Sequence, residues 1–241
     1  MISPRTARIV ASIHKWLGLI VAIQLVIWTG TGLFMASFHL TDVRGEKLVH
    51  PPGHQLPVDM SKVKLSSTDA LKTIVEDRPF QVTLRPLAGE PVYEIRAEIG
   101  IYLVSAETGD VLSPVSEELA TSIATQAWAG EGAFQSIELL EAAPHESGLA
   151  GQVWAAHFAG DGNPTLYVTA TNGQVGAPRT DLWRIYDFFY GLHLMDYIDH
   201  ENANTPWTIA LAVLAFSTVL FGIVLLVHRF TRGVLRPKET P

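Results

Sequence analysis

The sequence predicts a membrane protein in which two antiparallel transmembrane helices flank an extracytoplasmic domain of two helix-plus-antiparallel-sheet units. Three observations predict it: two long uncharged runs, positive charge beside each run at the ends of the chain, and a turn sequence that occurs twice. The fold class is therefore membrane α combined with α+β.

Two stretches are long and apolar enough to span a membrane. Leu17–Phe38 contains 22 residues without a charge, and Trp207–Val227 contains 21. A helix needs about 20 such residues to cross roughly 30 Å of hydrocarbon. The first run is longer than the apolar part of a signal peptide, and no small-residue cleavage site clearly ends it. It is expected to remain as an anchor.

Charge predicts the orientation of both spans. Residues 1–16 carry three basic and no acidic side chains, and residues 228–241 carry four basic side chains against one acid. The intervening chain holds 10 basic and 23 acidic residues. Because basic flanks stay on the cytoplasmic side, both termini are expected in the cytoplasm and the central domain outside. The negative charge of that domain argues against binding of nucleic acid.

The chain is expected to divide into seven segments. In order they are the cytoplasmic N-terminus with the first transmembrane helix (1–39), a Pro-containing linker (40–65), a first α+β unit (66–113), a second unit (114–180), an aromatic-rich interfacial helix (181–205), the second transmembrane helix (206–228) and a basic cytoplasmic tail (229–241). The aromatic helix is expected at the outer membrane surface, because Trp and Tyr favour the boundary between water and lipid.

The two α+β units are predicted to be copies of each other. Each has a short helix followed by strand-like runs, two or three in the first unit and three in the second. The helices are predicted at 67–75 and 117–128, and the runs at 81–84, 92–97, 101–105, 136–140, 153–158 and 166–169. Ala106-Glu107-Thr108-Gly109-Asp110-Val111 aligns with Ala170-Thr171-Asn172-Gly173-Gln174-Val175, 64 positions later. This repeat indicates an internal duplication in which each unit closes with a glycine-containing turn.

Histidine is the main candidate for chemistry. Cysteine is absent, which excludes disulfides, thiolate catalysis and Cys-ligated iron–sulfur clusters. Four of the nine histidines are predicted near the ends of the spans: His14, His39, His193 and His228. Because the spans are antiparallel, His14 and His228 are predicted at one depth near the cytoplasm. His39 and His193 are predicted at a second depth near the outer face.

Helical phase places two of these histidines on one face. His14 and His39 are 25 residues apart, close to seven turns, and Gly18 and Gly32 share their face. Small residues allow a second helix or a flat porphyrin to approach, and histidine binds haem iron axially. The competing interpretation is that these histidines are polar anchors at the interface and that His228 interacts with the carbonyl end of its helix.

The remaining motifs are weaker. His50 and His54 flank a Pro-Pro-Gly turn, where a solvated loop is favoured over a metal site, and Glu141, His145 and Glu146 resemble a metal cluster only loosely. The sequence has no hydrolase, P-loop or dinucleotide-binding motif in a suitable context.

The chain resembles the PepSY-associated transmembrane family. The resemblance is carried by His14-Lys15-Trp16-Leu17-Gly18 at the start of the first span, by the two copies of the glycine turn, and by the aromatic segment Trp183–Tyr197 before the second span. It covers nearly the whole chain. The motifs at the first span and before the second are fairly specific, whereas the turn is common to all PepSY domains.

The resemblance implies a bacterial inner-membrane protein with a periplasmic domain of two PepSY-like units. Some members resemble ferric-siderophore reductases that use haem b to carry electrons across the membrane toward periplasmic iron. His14 and His193 match family motif positions, whereas His39 and His228 rest on topology and phase. Since the chain encodes no NADH or flavin domain, the electron donor would be a quinone or another redox protein. Whether the chain is itself a reductase or an electron-transfer subunit is left open.

One departure from the family concerns the number of spans. The reductases have four, and two helices cannot surround a porphyrin. A homodimer or a membrane partner subunit is therefore expected. The alternatives to electron transfer are a non-enzymatic regulator whose PepSY-like units bind a periplasmic partner such as a protease, and an accessory subunit of a larger complex that carries no cofactor of its own.

Overall fold

The computed structural model describes residues 3–51, 57–74, 78–196 and 204–234. The chain divides into two compact units: a helical unit of residues 1–38 with 186–241, and a sheet-containing unit of residues 39–185. Parts of the predicted linker, aromatic helix and basic tail, together with His54, lie outside the described residues.

The helical unit contains the two predicted spans as long helices. Helix α1 covers Pro4–Ala36; it begins at Ser3, whose side chain accepts a hydrogen bond from the Thr6 amide, and has proline in its first turn. Helix α6 covers Pro206–Val234. By length and composition, both are candidate membrane spans. Each helix extends beyond its uncharged run toward the nearer end of the chain, α1 back to Pro4 and α6 on to Val234.

Two three-stranded antiparallel sheets form the other unit. Their strands are β1 (Pro79–Leu87), β2 (Glu90–Ala97) and β3 (Ile101–Ser105), then β4 (Phe134–Leu140), β5 (Val153–Phe158) and β6 (Thr165–Thr169). The order within each sheet follows the chain, β1-β2-β3 and β4-β5-β6. All six predicted strands are thus confirmed, with β1 extended at both ends.

Short helices accompany the sheets. They are α2 (Leu40–Val43), α3 (Ser67–Leu71), α4 (Glu117–Ala127), α5 (Asp181–Leu194) and 3₁₀ turns at Glu46–Leu48, Met60–Lys62 and His145–Ser147. Ser66 and Ser116 cap α3 and α4 by accepting from an amide three residues on. Helix α3 is shorter than the predicted 67–75 and ends at Leu71. The amide of Lys72 donates to the backbone carbonyls of Ala70 and Asp69, which tightens the last turn. Helix α5 also stops earlier than 205, and its residues from Tyr186 onward belong to the helical unit.

The structure confirms the duplicated turn. Val104 pairs with Val111 in the first copy, and Val168 pairs with Val175 in the second. The amide of the last strand residue donates to the carbonyl five residues later at 2.9 Å in both copies. Gly109 and Gly173 occupy the same step with φ of 84° and 66°, a conformation that costs other residues strain.

One hydrophobic core joins both copies. It contains Leu87, Val92 and Leu103 of the first sheet, Ala156, Phe158, Leu166 and Val168 of the second, and Ala120, Ile123 and Ala124 of α4. A smaller cluster packs α3 on the opposite face of the first sheet, around the buried Ile95. Helix α4 therefore serves both sheets, whereas α3 serves one.

Gly173→Ala is expected to destabilise this core by about 2 kcal/mol. The added Cβ would lie 2.9 Å from Ile123 Cδ1 and 3.2 Å from Leu87 Cδ1, at a positive φ. Gly151→Ala is the matched control, because Gly151 also has a positive φ but has nothing within 4 Å of the new Cβ. Urea unfolding of both full-length variants in mild detergent measures the difference. Equal losses of unfolding free energy would show that the core around Gly173 accommodates the methyl group.

Candidate functional site

His14 belongs to α1, and its side chain packs against α6. Its Nδ1 lies 3.0 Å from the backbone carbonyl oxygen of Thr218. A carbonyl oxygen only accepts, so Nδ1 must carry the proton. The ring also rests on Gly222, where an added Cβ would lie 3.1 Å from Cε1 of His14. A glycine in α6 thus makes room for the imidazole.

His193, in α5, is held against α1 in a similar way. Its Nδ1 lies 3.0 Å from Oγ1 of the buried Thr31. The single hydroxyl proton of Thr31 is directed to the carbonyls of Ile27 and Trp28, at 2.9 and 3.0 Å. Thr31 Oγ1 therefore accepts, and Nδ1 of His193 donates. The Trp28 ring stacks on the imidazole with centroids 5.2 Å apart.

The two histidines share one arrangement. In each, Nδ1–H is bound to an oxygen, so the neutral imidazole has its lone pair on Nε2. Within the part of the chain that the structure describes, no group hydrogen bonds to Nε2 of either ring. An imidazole fixed by an Nδ1–H hydrogen bond and open at Nε2 is the usual state of a metal-bound histidine. From His14 to Thr31 the helix rises about 25 Å over 17 residues.

His228 lies farther along α6 than the predicted pairing with His14 requires. His14 contacts Gly222, and His228 follows six residues later, about 9 Å along the axis. The prediction of a common depth was therefore wrong, because the helix packing sets a register that charge and hydropathy do not encode. Both ring nitrogens of His228 are buried and have no hydrogen-bond partner among the residues that the structure describes.

His39 does not continue the face of His14. Helix α1 ends at Ala36, with Ser37 as its C-cap, and His39 is the exposed N-cap residue of α2. The prediction from helical phase was wrong here, because it assumed an unbroken helix of seven turns. His39 belongs to the sheet-containing unit, whereas His193 belongs to the helical unit.

Gly18 and Gly32 both face other parts of the same chain. An added Cβ would lie 3.9 Å from Thr218 at Gly18, and 3.3 Å from Cε1 of His193 at Gly32. Both glycines therefore allow another helix to pack closely against α1, which is one of the two roles predicted for them; the other was the approach of a porphyrin. Gly32 in addition makes room for the ring of His193, which is a candidate metal-binding residue.

In the sheet-containing unit, Glu146 anchors a cluster of polar side chains. Arg184 Nε and Nη2 each donate to a different oxygen of Glu146 at 2.9 Å, and the Tyr167 hydroxyl donates at 2.6 Å. Burial opposes ionisation of Glu146, but these hydrogen bonds outweigh it and hold its pKa below the usual value. Burial and the contact with Glu146 raise the pKa of Tyr167.

This cluster explains one weak motif. Glu146 had resembled a metal ligand, yet it is engaged by an arginine 38 residues away in the sequence. Among the described residues, no three His, Asp or Glu side chains are grouped so that they could hold a metal ion.

Sequence reasoning missed three residues that hold the histidines: Thr31, Thr218 and Gly222. Threonines and glycines are ordinary in apolar helices, so their type carries little information. A usable signal was available for Gly222, since it is the only glycine in the uncharged run of the second span.

Comparison with models of protein families, with curated proteins and with solved structures gives no match to this chain. The likeness to the PepSY-associated transmembrane family therefore stays a prediction carried by the motifs.

Proposed function

We propose that the chain is a haem-b electron-transfer protein or subunit of the bacterial inner membrane, with His14 and His193 as axial ligands at two depths. The observation that carries the proposal is the shared state of these rings, in which Nδ1–H is bound to an oxygen and Nε2 makes no hydrogen bond to any residue that the structure describes. Neutral imidazole is a common axial ligand of haem iron. A bound haem would supply reversible one-electron oxidation and reduction.

The chain's own residues bind and orient the ligands in this proposal. The Thr218 carbonyl fixes the tautomer and rotation of His14, and the Thr31 hydroxyl does the same for His193. Such outer partners raise the basicity of a ligand and reduce its freedom to rotate. Trp28 covers one side of His193 and limits the access of water to that ring.

Charge supports the proposed orientation. The basic ends would lie in the cytoplasm and the acidic PepSY-like units in the periplasm. His14, near the start of α1, would then be closer to the cytoplasm, and His193 closer to the periplasm. A quinone or a redox protein would supply electrons, and periplasmic iron, such as a ferric siderophore, would receive them.

The alternative is an accessory protein whose sheet-containing unit binds a periplasmic partner. It is favoured by Phe80 and Ile99, which are 70% and 79% exposed near the same end of the first sheet. Exposed large apolar side chains that lie together often mark contact sites. In this alternative, Phe80→Asp abolishes the accessory function in cells, because that function depends on the contact with the partner. Replacement of His14 leaves the accessory function unchanged.

An absorption spectrum tests the proposed function. Full-length protein expressed with a supply of haem and purified in detergent is expected to show a Soret band and α bands that sharpen on reduction. His14→Ala and His193→Ala are each expected to remove part of the haem and to leave the rest bound, as two independent sites would require. His157→Ala, in the sheet-containing unit, is the matched control and is expected to retain all of it. A colourless preparation from haem-supplied cells would contradict the proposal.

A further inference from the structure

We propose that the haem site near the cytoplasm is shared by two copies of the chain, with His14 of each copy bound to one face of a single haem. This inference rests on the proposed function and extends it by naming the second axial ligand. The two copies would be related by a twofold axis along the membrane normal.

One chain has too few histidines near this site to supply both axial ligands. Residues 1–38 and 204–241 contain two histidines, His14 and His228, and no cysteine. Two axial imidazoles on one iron have their ligating nitrogens about 4 Å apart, given metal–imidazole bonds of about 2 Å. His228 lies about 9 Å farther along the axis than Gly222, which His14 contacts. It is therefore poorly placed to bind the same iron.

Helices α1 and α6 leave no space for a porphyrin between them at the level of His14. The His14 ring itself occupies the gap, 3.1 Å from the position of a Cβ on Gly222. One turn further on, Gly18 approaches Thr218 within ordinary contact distance, 3.9 Å from an added Cβ. A porphyrin cannot lie between α1 and α6 here. It must lie on an outer surface of the pair, so the ligand on its far face comes from outside the chain.

A symmetric pair of chains would supply the second axial ligand. A twofold axis along the membrane normal leaves depth unchanged, so each residue meets its equivalent at the same level. His14 is partly exposed, and its Nε2 makes no hydrogen bond in the described residues. A second copy therefore offers an identical, correctly protonated ligand at the required depth. It also raises the number of helices around the haem from two to four.

Mixed pairs of chains test the proposal. Two differently tagged full-length chains, both carrying His193→Ala to remove the other site, are co-expressed and purified through both tags. The pair with two intact His14 residues is expected to bind one haem per two chains with a low-spin spectrum. The pair with one His14→Ala chain is expected to bind high-spin haem, because one axial ligand is lost. Added imidazole should restore its low-spin spectrum, which shows that the variant is folded.

The outcomes separate this inference from the proposed function. One low-spin haem per intact His14, or haem-loaded protein that is monomeric, would overturn the shared site and leave haem binding in place. Loss of the low-spin spectrum in His228→Ala would assign the second ligand to His228 and also overturn it. Absence of haem from every chain, including one without substitutions, would overturn both.

Discussion

Gly222→Val is expected to lower haem affinity at the His14 site about 10- to 100-fold while leaving every candidate ligand in place. The new Cβ would lie 3.1 Å from Cε1 of His14, and the valine methyl groups would extend into the ring. The imidazole would have to turn away and lose its hydrogen bond to the Thr218 carbonyl. Titration of haem-free protein with haem, followed by the Soret band, measures the change.

Gly30→Val is the matched control for this change. It places the same side chain in an apolar helix, but nothing lies within 4 Å of its Cβ. Both substitutions replace glycine with a residue of better helix propensity, so neither is expected to unfold the helix. Unchanged affinity in Gly222→Val would show that the contact with Gly222 does not position a haem ligand.

Glu146→Ala is expected to reduce the unfolding free energy by about 3 kcal/mol. The substitution removes the acceptor of two Arg184 hydrogen bonds and one Tyr167 hydrogen bond. The side chains of Glu146 and Arg184 are 21% and 34% exposed, so water replaces part of what is lost. Urea unfolding of the full-length protein in mild detergent measures the loss. Lys47→Ala, which breaks an exposed pair with Asp42, is the control and should cost less than about 1 kcal/mol.

The same cluster predicts a dependence on pH. Because the pKa of Glu146 is lower in the folded chain than its usual value of 4.5, its ionised form favours folding. This contribution is complete above about pH 4.5 and is lost as the pH falls through the folded-state pKa. The stability difference between the parent chain and Glu146→Ala should therefore narrow in acid. A constant difference down to pH 3 would contradict the role assigned to the carboxylate.

The local features of the fold could be predicted from sequence. The two long uncharged runs lie in helices, in which each run satisfies its backbone hydrogen bonds within its own segment. The duplicated turn was visible because Gly109 and Gly173 each need a positive φ, which few other residues adopt easily. Strand positions followed from short β-branched and aromatic runs between turn residues.

Features that depend on packing between distant segments could not be predicted. The register of α1 against α6 is set by the fit of His14 onto Gly222, 208 residues away in sequence, and no local pattern encodes that contact. The partner of Glu146 was missed for the same reason, since Arg184 lies in a different element. The end of α1 at Ala36 depends on a C-cap at Ser37 that hydropathy does not register.

The core that both α+β copies share has a consequence for how the sheet-containing unit unfolds. Ile123 and Ala124 of α4 pack with Leu103 from the first copy and Leu166 from the second. A chain cut between the copies would leave each half with an uncovered apolar sheet face. Although the sequence is repeated, the halves are therefore not separable modules, and denaturant should melt both in a single cooperative transition.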